Sequence, residues 1–359
     1  MPQSESTERR ARLLGALKPA RTVAFLTTAR PNVQYLSGFT GSNGAVLVSS
    51  ERALLFTDPR YATQAPQQSD CEVVVAKGPL LAEAGKWIKR LKYRAIAFEQ
   101  NRISFEEYTQ LKQVAAGVRW KPVSGVVETL RMTKSASEIG TIKASVRLNS
   151  IALEQALQHF HPEMTEVDLA AEIEYRMRRL GADGTAFDTI VASGERTALP
   201  HAHPTNHPIQ NNQLLLIDMG ASLAGYASDM TRTHALGSLN TRTRRMYKAV
   251  LESQLAAIAA VKPGVTCGSV DRSARNVLRG YGLEKFFIHS TGHGLGLEIH
   301  EAPRVGRKEK TKLAPGMVIT IEPGVYQEGL GGIRIEDTVL VTNQGCEILT
   351  PTGKELVVL

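Results

Sequence analysis

The chain has 359 residues, 42% of them hydrophobic, and a formal net charge of +8, enough length and apolar content for two domains with separate cores. The cationic excess permits nonspecific contact with polyanions, but no segment carries a dense basic run and aromatics are only 6%, so nucleic-acid binding is set aside. No apolar run approaches about 18 residues, and the start of the chain (Glu5, Glu8, Arg9, Arg10, Arg12) has no apolar core, so neither a membrane span nor a signal peptide is expected.

The first third alternates strand-like and helix-like segments. Thr22–Thr27, Ala45–Val48, Ala53–Thr57, Cys71–Val75 and Ala95–Phe98 read as strands, Leu80–Leu91 and Ser104–Ala115 as helices. The alternation predicts a small α/β domain over residues 1–130, with Val123–Lys134 as a linker into a second domain over 131–359. Ser135-Ala136-Ser137-Glu138 opens a helix that runs to Phe160, its apolar face set by Ile139, Ile142, Val146, Ile151, Leu153 and Leu157. Thr165-Glu166-Val167-Asp168 caps a second helix that ends near Leu180-Gly181. Two more helices, Arg242–Val261 and Val270–Tyr281, are punctuated by Pro263-Gly264 and Gly282. A strand-rich hairpin follows each helix pair. The order implies two structurally similar halves, although no sequence repeat is visible.

Cys71, Cys267 and Cys346 are widely spaced and odd in number. None sits in a CxxC or beside a His, so they read as small buried residues of a reduced, cytoplasmic chain.

Four acids carry the chemistry. Asp218 follows Leu214-Leu215-Leu216-Ile217, Asp229 stands in Ser228-Asp229-Met230-Thr231, Glu322 follows Val318-Ile319-Thr320-Ile321, and Glu336 is framed by Ile333, Ile335 and Val339. A lone charge in such runs is costly to bury, and no run of Lys or Arg offsets it. Asp218 and Asp229 flank the turn candidate Ala221–Gly225, and Glu322 and Glu336 flank Gly329–Gly332. Antiparallel pairing about each turn predicts that the two acids of each pair lie opposite each other, about 5 Å apart at Cβ. Like charges at that range call for a bridging cation. His293, between Gly292 and Gly294, offers a fifth ligand. Oxygen-rich sites with one imidazole suit Mn²⁺, Co²⁺ or Zn²⁺ better than thiol-seeking metals.

Ile217–Ala221, Tyr226–Thr233, His289–Glu301, Ile319–Tyr326, Gly331–Thr338 and Ala198-Leu199-Pro200-His201 together resemble the metallopeptidases of the prolidase, aminopeptidase P and methionine aminopeptidase family, whose fold is called pita-bread. Tyr35–Ser42 and Thr57–Tyr61 resemble the extra N-terminal domain of its proline-specific members. The resemblance implies a creatinase/prolidase-like domain followed by a catalytic pita-bread domain, with two divalent cations per subunit. It implies that Asp218 binds one cation, His293 and Glu322 the other, and Asp229 and Glu336 both. Glu322 is then the candidate general base, and His201, His289 and His300 surround the substrate pocket, His300 as the residue that steadies the tetrahedral intermediate. Arg334 lies two residues before Glu336, on the same strand face, where it can orient ligands or meet a substrate carboxylate. His203, His207 and His234 read as solvated or structural, and Gly292, Gly294 and Gly296 fail the dinucleotide-loop spacing.

The implied activity is hydrolysis of the bond before proline in Xaa-Pro dipeptides. Removal of one residue from longer Xaa-Pro peptides, as by an aminopeptidase P, is the alternative, since Gly41-Ser42-Asn43-Gly44 lacks the charges that prolidases use nearby. A noncatalytic scaffold of the same fold is disfavoured because every ligand position is filled. A homodimer is implied, with no nucleic-acid or membrane partner.

Overall fold

The computed structural model describes residues 3–161 and 163–359. The chain divides into two compact units, one ending at Arg131 and one beginning at Met132. Both are mixtures of helix and sheet, so the fold class is α/β.

The first unit is built on a six-stranded mixed sheet. Its elements are α1 (Gln3–Leu17), β1 (Ala24–Thr27), α2 (Arg30–Ser37), β2 (Gly44–Ser49), β3 (Ala53–Thr57), α3 (Gln64–Gln68), β4 (Glu72–Val75), α4 (Leu80–Arg90), β5 (Ala95–Glu99), α5 (Phe105–Val114), β6 (Arg119–Val123) and α6 (Val126–Arg131). The strand order is β4-β3-β2-β1-β5-β6, antiparallel from β1 to β3 and parallel elsewhere. Leu81, Ala84 and Ile88 of α4 and Leu111 of α5 pack on Leu26, Leu47, Phe56 and Ile96. Five of these elements lie outside the strands and helices read from the sequence: α1, α2, α3, β6 and α6. α1 is too charged to show a clear apolar period, yet it buries Leu13 and Leu17. The predicted linker contains a helix, α6, because Val127 is buried and Arg131 donates to Asn32 Oδ1 at 2.7 Å. β6 lies where no strand was read.

The second unit repeats one plan. Helices α7 (Ala136–Gln158) and α8 (Glu166–Arg179) begin at capping boxes, Ser135 with Glu138 and Thr165 with Asp168. They pack on a sheet in the order β12-β9-β8, where β8 is Ile190–Ser193, β9 Gln213–Met219 and β12 Met230–Leu236. A small sheet pairs β7 (Gly184–Thr185), β10 (Ala221–Leu223) and β11 (Tyr226–Ala227). Helices α9 (Thr241–Ala259) and α10 (Cys267–Gly280) then cover the second sheet, β14-β13-β15-β18-β19. Its strands are β13 (Gly292–Gly294), β14 (Glu301–Val305), β15 (Val318–Ile321), β18 (Asp337–Val341) and β19 (Cys346–Ile348), with the ribbon β16 (Gly324–Gln327) and β17 (Gly331–Arg334) between β15 and β18. No described helix is long and apolar enough to cross a membrane.

The first hairpin corrects an expectation. Asp218 pairs with Thr231, not Asp229, and Leu223 pairs with Tyr226 in the same register. The turn is therefore the two residues Ala224 and Gly225, both at positive φ (49° and 80°), as a tight hairpin of matching twist requires. This moves the hairpin's centre past the predicted midpoint. Asp218 and Asp229 become diagonal neighbours on one face, a relation worth about 7–8 Å between positions. Gly220 makes the crossing possible, since a Cβ there would lie 2.3 Å from Ser228 O. In the second hairpin Ile321 pairs with Asp337 and Gly324 with Arg334, which sets Glu322 across from Glu336.

Candidate metal centre

The middle stretches of the two hairpins contribute to the lining of a cavity of about 570 Å³. Asp218, Asp229, His293, Glu322, Glu336, His201, His289, His300 and Arg334 all line it. Glu322 and Glu336 sit at the break between the β15–β18 sheet and the β16–β17 ribbon. There the backbone amides turn to other strands, Glu322 N to Thr291 O at 2.7 Å and Glu336 N to Thr231 O at 3.2 Å. The break frees both side chains to point at the same space.

The acids there are poorly compensated. Asp229 is 5% exposed and Glu336 1%. Burial, then the neighbouring carboxylates, hold both carboxyls well above their usual range, and burial pushes Glu322 up to about 7. Glu336 Oε2 accepts from Thr231 Oγ1 at 2.7 Å, but its Oε1 and Asp218 Oδ1 are buried without a partner. Ligand atoms of Asp229, His293 and Glu336 all lie within 4.8 Å of one another. His293 Nε2 is 3.5 Å from Asp229 Oδ2 and 3.4 Å from Glu322 Oε1. Its Nδ1 faces Gly294 O at 3.0 Å, and a carbonyl only accepts, so Nδ1 carries the proton and Nε2 presents its lone pair. Burial lowers the pKa of this ring and favours that neutral form. Hard oxygen donors with orphaned lone pairs and one neutral imidazole fit divalent cations.

No run of Lys or Arg offsets these acids, but the single residue Arg334 reaches one of them. Its Nη2 donates to Asp218 Oδ2 at 2.5 Å, Nη1 to Tyr326 OH at 2.6 Å and to Pro200 O at 3.3 Å, and Nε to Thr231 Oγ1 at 3.0 Å. Buried and engaged in this way, the guanidinium orients Asp218 and has little left for a substrate carboxylate. Tyr326 passes the order on. Its hydroxyl accepts from Arg334 and lies 2.9 Å from His289 Nε2. His289 Nδ1 faces Ser290 O at 2.7 Å and must donate, so Nε2 accepts from the tyrosine. Burial and the Arg334 charge lower the His289 pKa to about 4, which keeps the ring neutral. His300 is exposed, with its ring 4.4 Å from that of His293 and edge-on to it, and His201 is exposed on the opposite loop. Of the other histidines, His234 is buried on β12, while His203 and His207 are exposed.

Among the cavity residues not singled out from the sequence are Tyr326 and Arg304. Arg304 is exposed on β14 and pairs across from His293, so its register with a ligand is the signal that would have found it. Its Nε donates to Ser290 Oγ at 2.6 Å.

Acids of which, among the described residues, only Asp218 pairs with an arginine or lysine, between two similar helix-and-hairpin halves, define a metal-dependent hydrolase of the pita-bread fold. The chain belongs to metallopeptidase family M24, whose profile matches residues 140–343, and the creatinase/prolidase N-terminal domain profile matches residues 9–133. The Xaa-Pro dipeptidase of Pyrococcus horikoshii is 38% identical over 335 residues, 93% of this chain and 94% of that protein. The solved structure of an Xaa-Pro dipeptidase from Bacillus anthracis superposes with a TM-score of 0.96 at 38% identity, covering 99% of this chain and all of the other. An X-Pro aminopeptidase structure from Thermotoga maritima reaches 0.91 at 37% identity, over 96% of this chain and all of the other.

Proposed function

We propose that this metallopeptidase is an Xaa-Pro dipeptidase that hydrolyses the peptide bond before proline and uses two divalent cations, Mn²⁺ or Co²⁺ and less readily Zn²⁺. In this reading Asp218 serves one cation, His293 and Glu322 the other, and Asp229 and Glu336 both. The cations supply positive charge that polarises the scissile carbonyl and lowers the pKa of water toward neutrality. The chain's residues do the rest. Glu322, which lines the cavity beside His293, takes a proton from water as general base. His300 donates a hydrogen bond to the developing oxyanion. His289 and His201 bound the substrate pocket, His289 held neutral by Tyr326. A bond before proline offers no N–H to grip, so recognition falls on the ring and on the peptide's ends.

Arg304 is the observation that favours a dipeptidase. Of the two arginines on the cavity, Arg334 is buried among four acceptors, whereas Arg304 is exposed with one partner among the described residues. Its remaining donors suit a terminal carboxylate. The likeness to an X-Pro aminopeptidase supports the second reading, release of the first residue from longer peptides. Rates on Xaa-Pro and Xaa-Pro-Yaa under the same metal conditions separate the two. In a dipeptidase, Arg304→Ala raises KM for Xaa-Pro about tenfold and leaves the slow hydrolysis of Xaa-Pro-amide unchanged. Faster turnover of Xaa-Pro-Yaa with an indifferent Arg304→Ala favours the aminopeptidase.

Two further features belong to this reading. The chain acts as a homodimer in which the first unit of one subunit helps close the partner's site, testable by light scattering and assay across concentration. The three cysteines stand unpaired, which suits a reducing cytoplasm.

A further inference from the structure

His201 is carried by a loop, and one carboxylate holds both ends of that loop. Glu166 opens α8 and is fully buried. Its Oε1 accepts from the backbone N of Ser193 at 2.8 Å and from Ser193 Oγ at 3.2 Å, where β8 ends and the loop begins. Its Oε2 accepts from the backbone N of Thr205 at 3.1 Å and from Thr205 Oγ1 at 2.9 Å, where the loop returns. Arg196 Nε lies 3.1 and 3.0 Å from the two oxygens, and its Nη2 donates to His203 O at 2.7 Å. A guanidinium anchored on Glu166 thus reaches the backbone just beyond His201. The amides at the start of α8 add to the clasp, Val167 N to Thr205 O at 3.1 Å and Glu166 N to His207 O at 3.1 Å.

The loop's other side is fastened to the metal-site hairpin. Thr197 Oγ1 donates to Gly194 O at 2.6 Å and accepts from Gly332 N at 2.7 Å, so close that a Cβ on Gly332 would stand 2.1 Å from Thr197 O. Pro200 O, immediately before His201, accepts from Arg334. Burying a carboxylate completely is costly unless every lone pair is used and a cation is near. Here both conditions are met by groups of the His201 loop alone: Ser193, Arg196 and Thr205.

We propose that Glu166 is the positioning residue for His201: it closes the 193–205 loop so that the imidazole is held at the cavity. The proposal rests on the reading of His201 as a group that faces substrate. Glu166 itself does not line the cavity.

Glu166→Gln keeps the size but sets an NH₂ group against N–H donors and removes the charge opposite Arg196. With Xaa-Pro substrate, kcat/KM should fall about 10- to 100-fold, the usual result of displacing a reacting group from a distance. Metal content should stay normal, and amide exchange over residues 194–205 should accelerate. The decisive readout is a double-mutant cycle with His201→Ala. If Glu166 acts through His201, Glu166→Gln costs nothing further in the His201→Ala background. Losses that multiply, or a Glu166→Gln enzyme of normal activity, overturn the proposal. Should Glu166→Gln fail to fold, Thr205→Val removes one donor to Oε2 and carries the same cycle with a smaller loss. A fully active His201→Ala enzyme would remove the reading of His201 and the proposal with it, whereas multiplying losses remove only the proposal.

Discussion

Glu336 and Asp337 are adjacent, both buried, and on opposite faces of one chain segment. Asp337 faces cations and donors of its own protein. Its Oδ1 accepts from Arg232 Nη2 at 2.8 Å, and its Oδ2 accepts from Gln254 Nε2 at 2.8 Å and from Lys354 Nζ. Glu336 faces Asp218, Asp229 and Glu322, with one hydroxyl partner and one orphaned oxygen. Two neighbouring acids thus solve the burial problem in opposite ways, one within the fold and one by leaving room for an added cation. The two solutions are joined, because Arg232 Nη1 also donates to Glu336 O at 2.5 Å. The satisfied face holds the backbone from which the unsatisfied face projects.

The comparison predicts opposite signs. Glu336→Gln should reduce peptidase activity to background and cut metal content, since the acid contacts both proposed cations. In chelated protein the same change should raise Tm, because it removes the cost of burying this acid, which without metal must either stay charged or hold a proton against the pH. A chelated Glu336→Gln protein that melts below the chelated parent would contradict the electrostatics described here. Asp337→Asn should do the reverse. It leaves Arg232 and Lys354 without their counter-charge and should cost about 3–5 kcal/mol in denaturant unfolding. At concentrations where it stays folded, it should still take up metal.

The difference between these two acids was only half legible in the sequence. Alternation separates positions 336 and 337, but which face is satisfied depends on the cation Arg232 and the amide of Gln254, which lie far away in the chain. The local signals read well. Capping residues marked α7 and α8, and the register of the second hairpin follows from a loop centred between its acids. The first hairpin read less well, because Ala224 takes a left-handed conformation that its residue type does not advertise. The role of Arg334 was open for the same reason as Asp337. Its partners Asp218, Thr231 and Pro200 are brought to it by tertiary pairing alone.

A smaller effect separates ligation from transition-state support among the histidines. His293 has its lone pair between two acids, whereas His300 lies beside it with an exposed ring. His300→Ala should retain its metals and lose about 10²–10³ in kcat with little change in KM, the usual cost of one oxyanion donor. His293→Ala should lose metal. Metal loss in both variants, measured beside steady-state kinetics, would show that His300 ligates instead.

The smallest effect is a pH slope. Glu322, Asp229 and Glu336 have folded pKa values raised above the ordinary carboxylate range, Glu322 to about 7. A raised folded pKa means that the folded state holds the proton longer than the unfolded chain. The associated stability is complete below the unfolded pKa of about 4.5 and is lost as pH rises through the folded value. The histidines work the other way. His289 and His234 are lowered to about 4, so their contribution is present above about 6.5 and lost on acidification. Below 6.5 the two sets oppose each other. Between pH 6.5 and 8 the unfolded histidines shed their remaining charge, and the three carboxyls dominate the slope. Chelated protein should therefore lose Tm steadily across that window, and Glu336→Gln should flatten the slope by removing one of the three groups. Metal-loaded protein should show little slope, because bound cations keep the carboxylates charged on both sides of it. A chelated protein whose Tm is constant or rises from pH 6.5 to 8 would mean that the acids are already compensated within the fold, as Asp337 is.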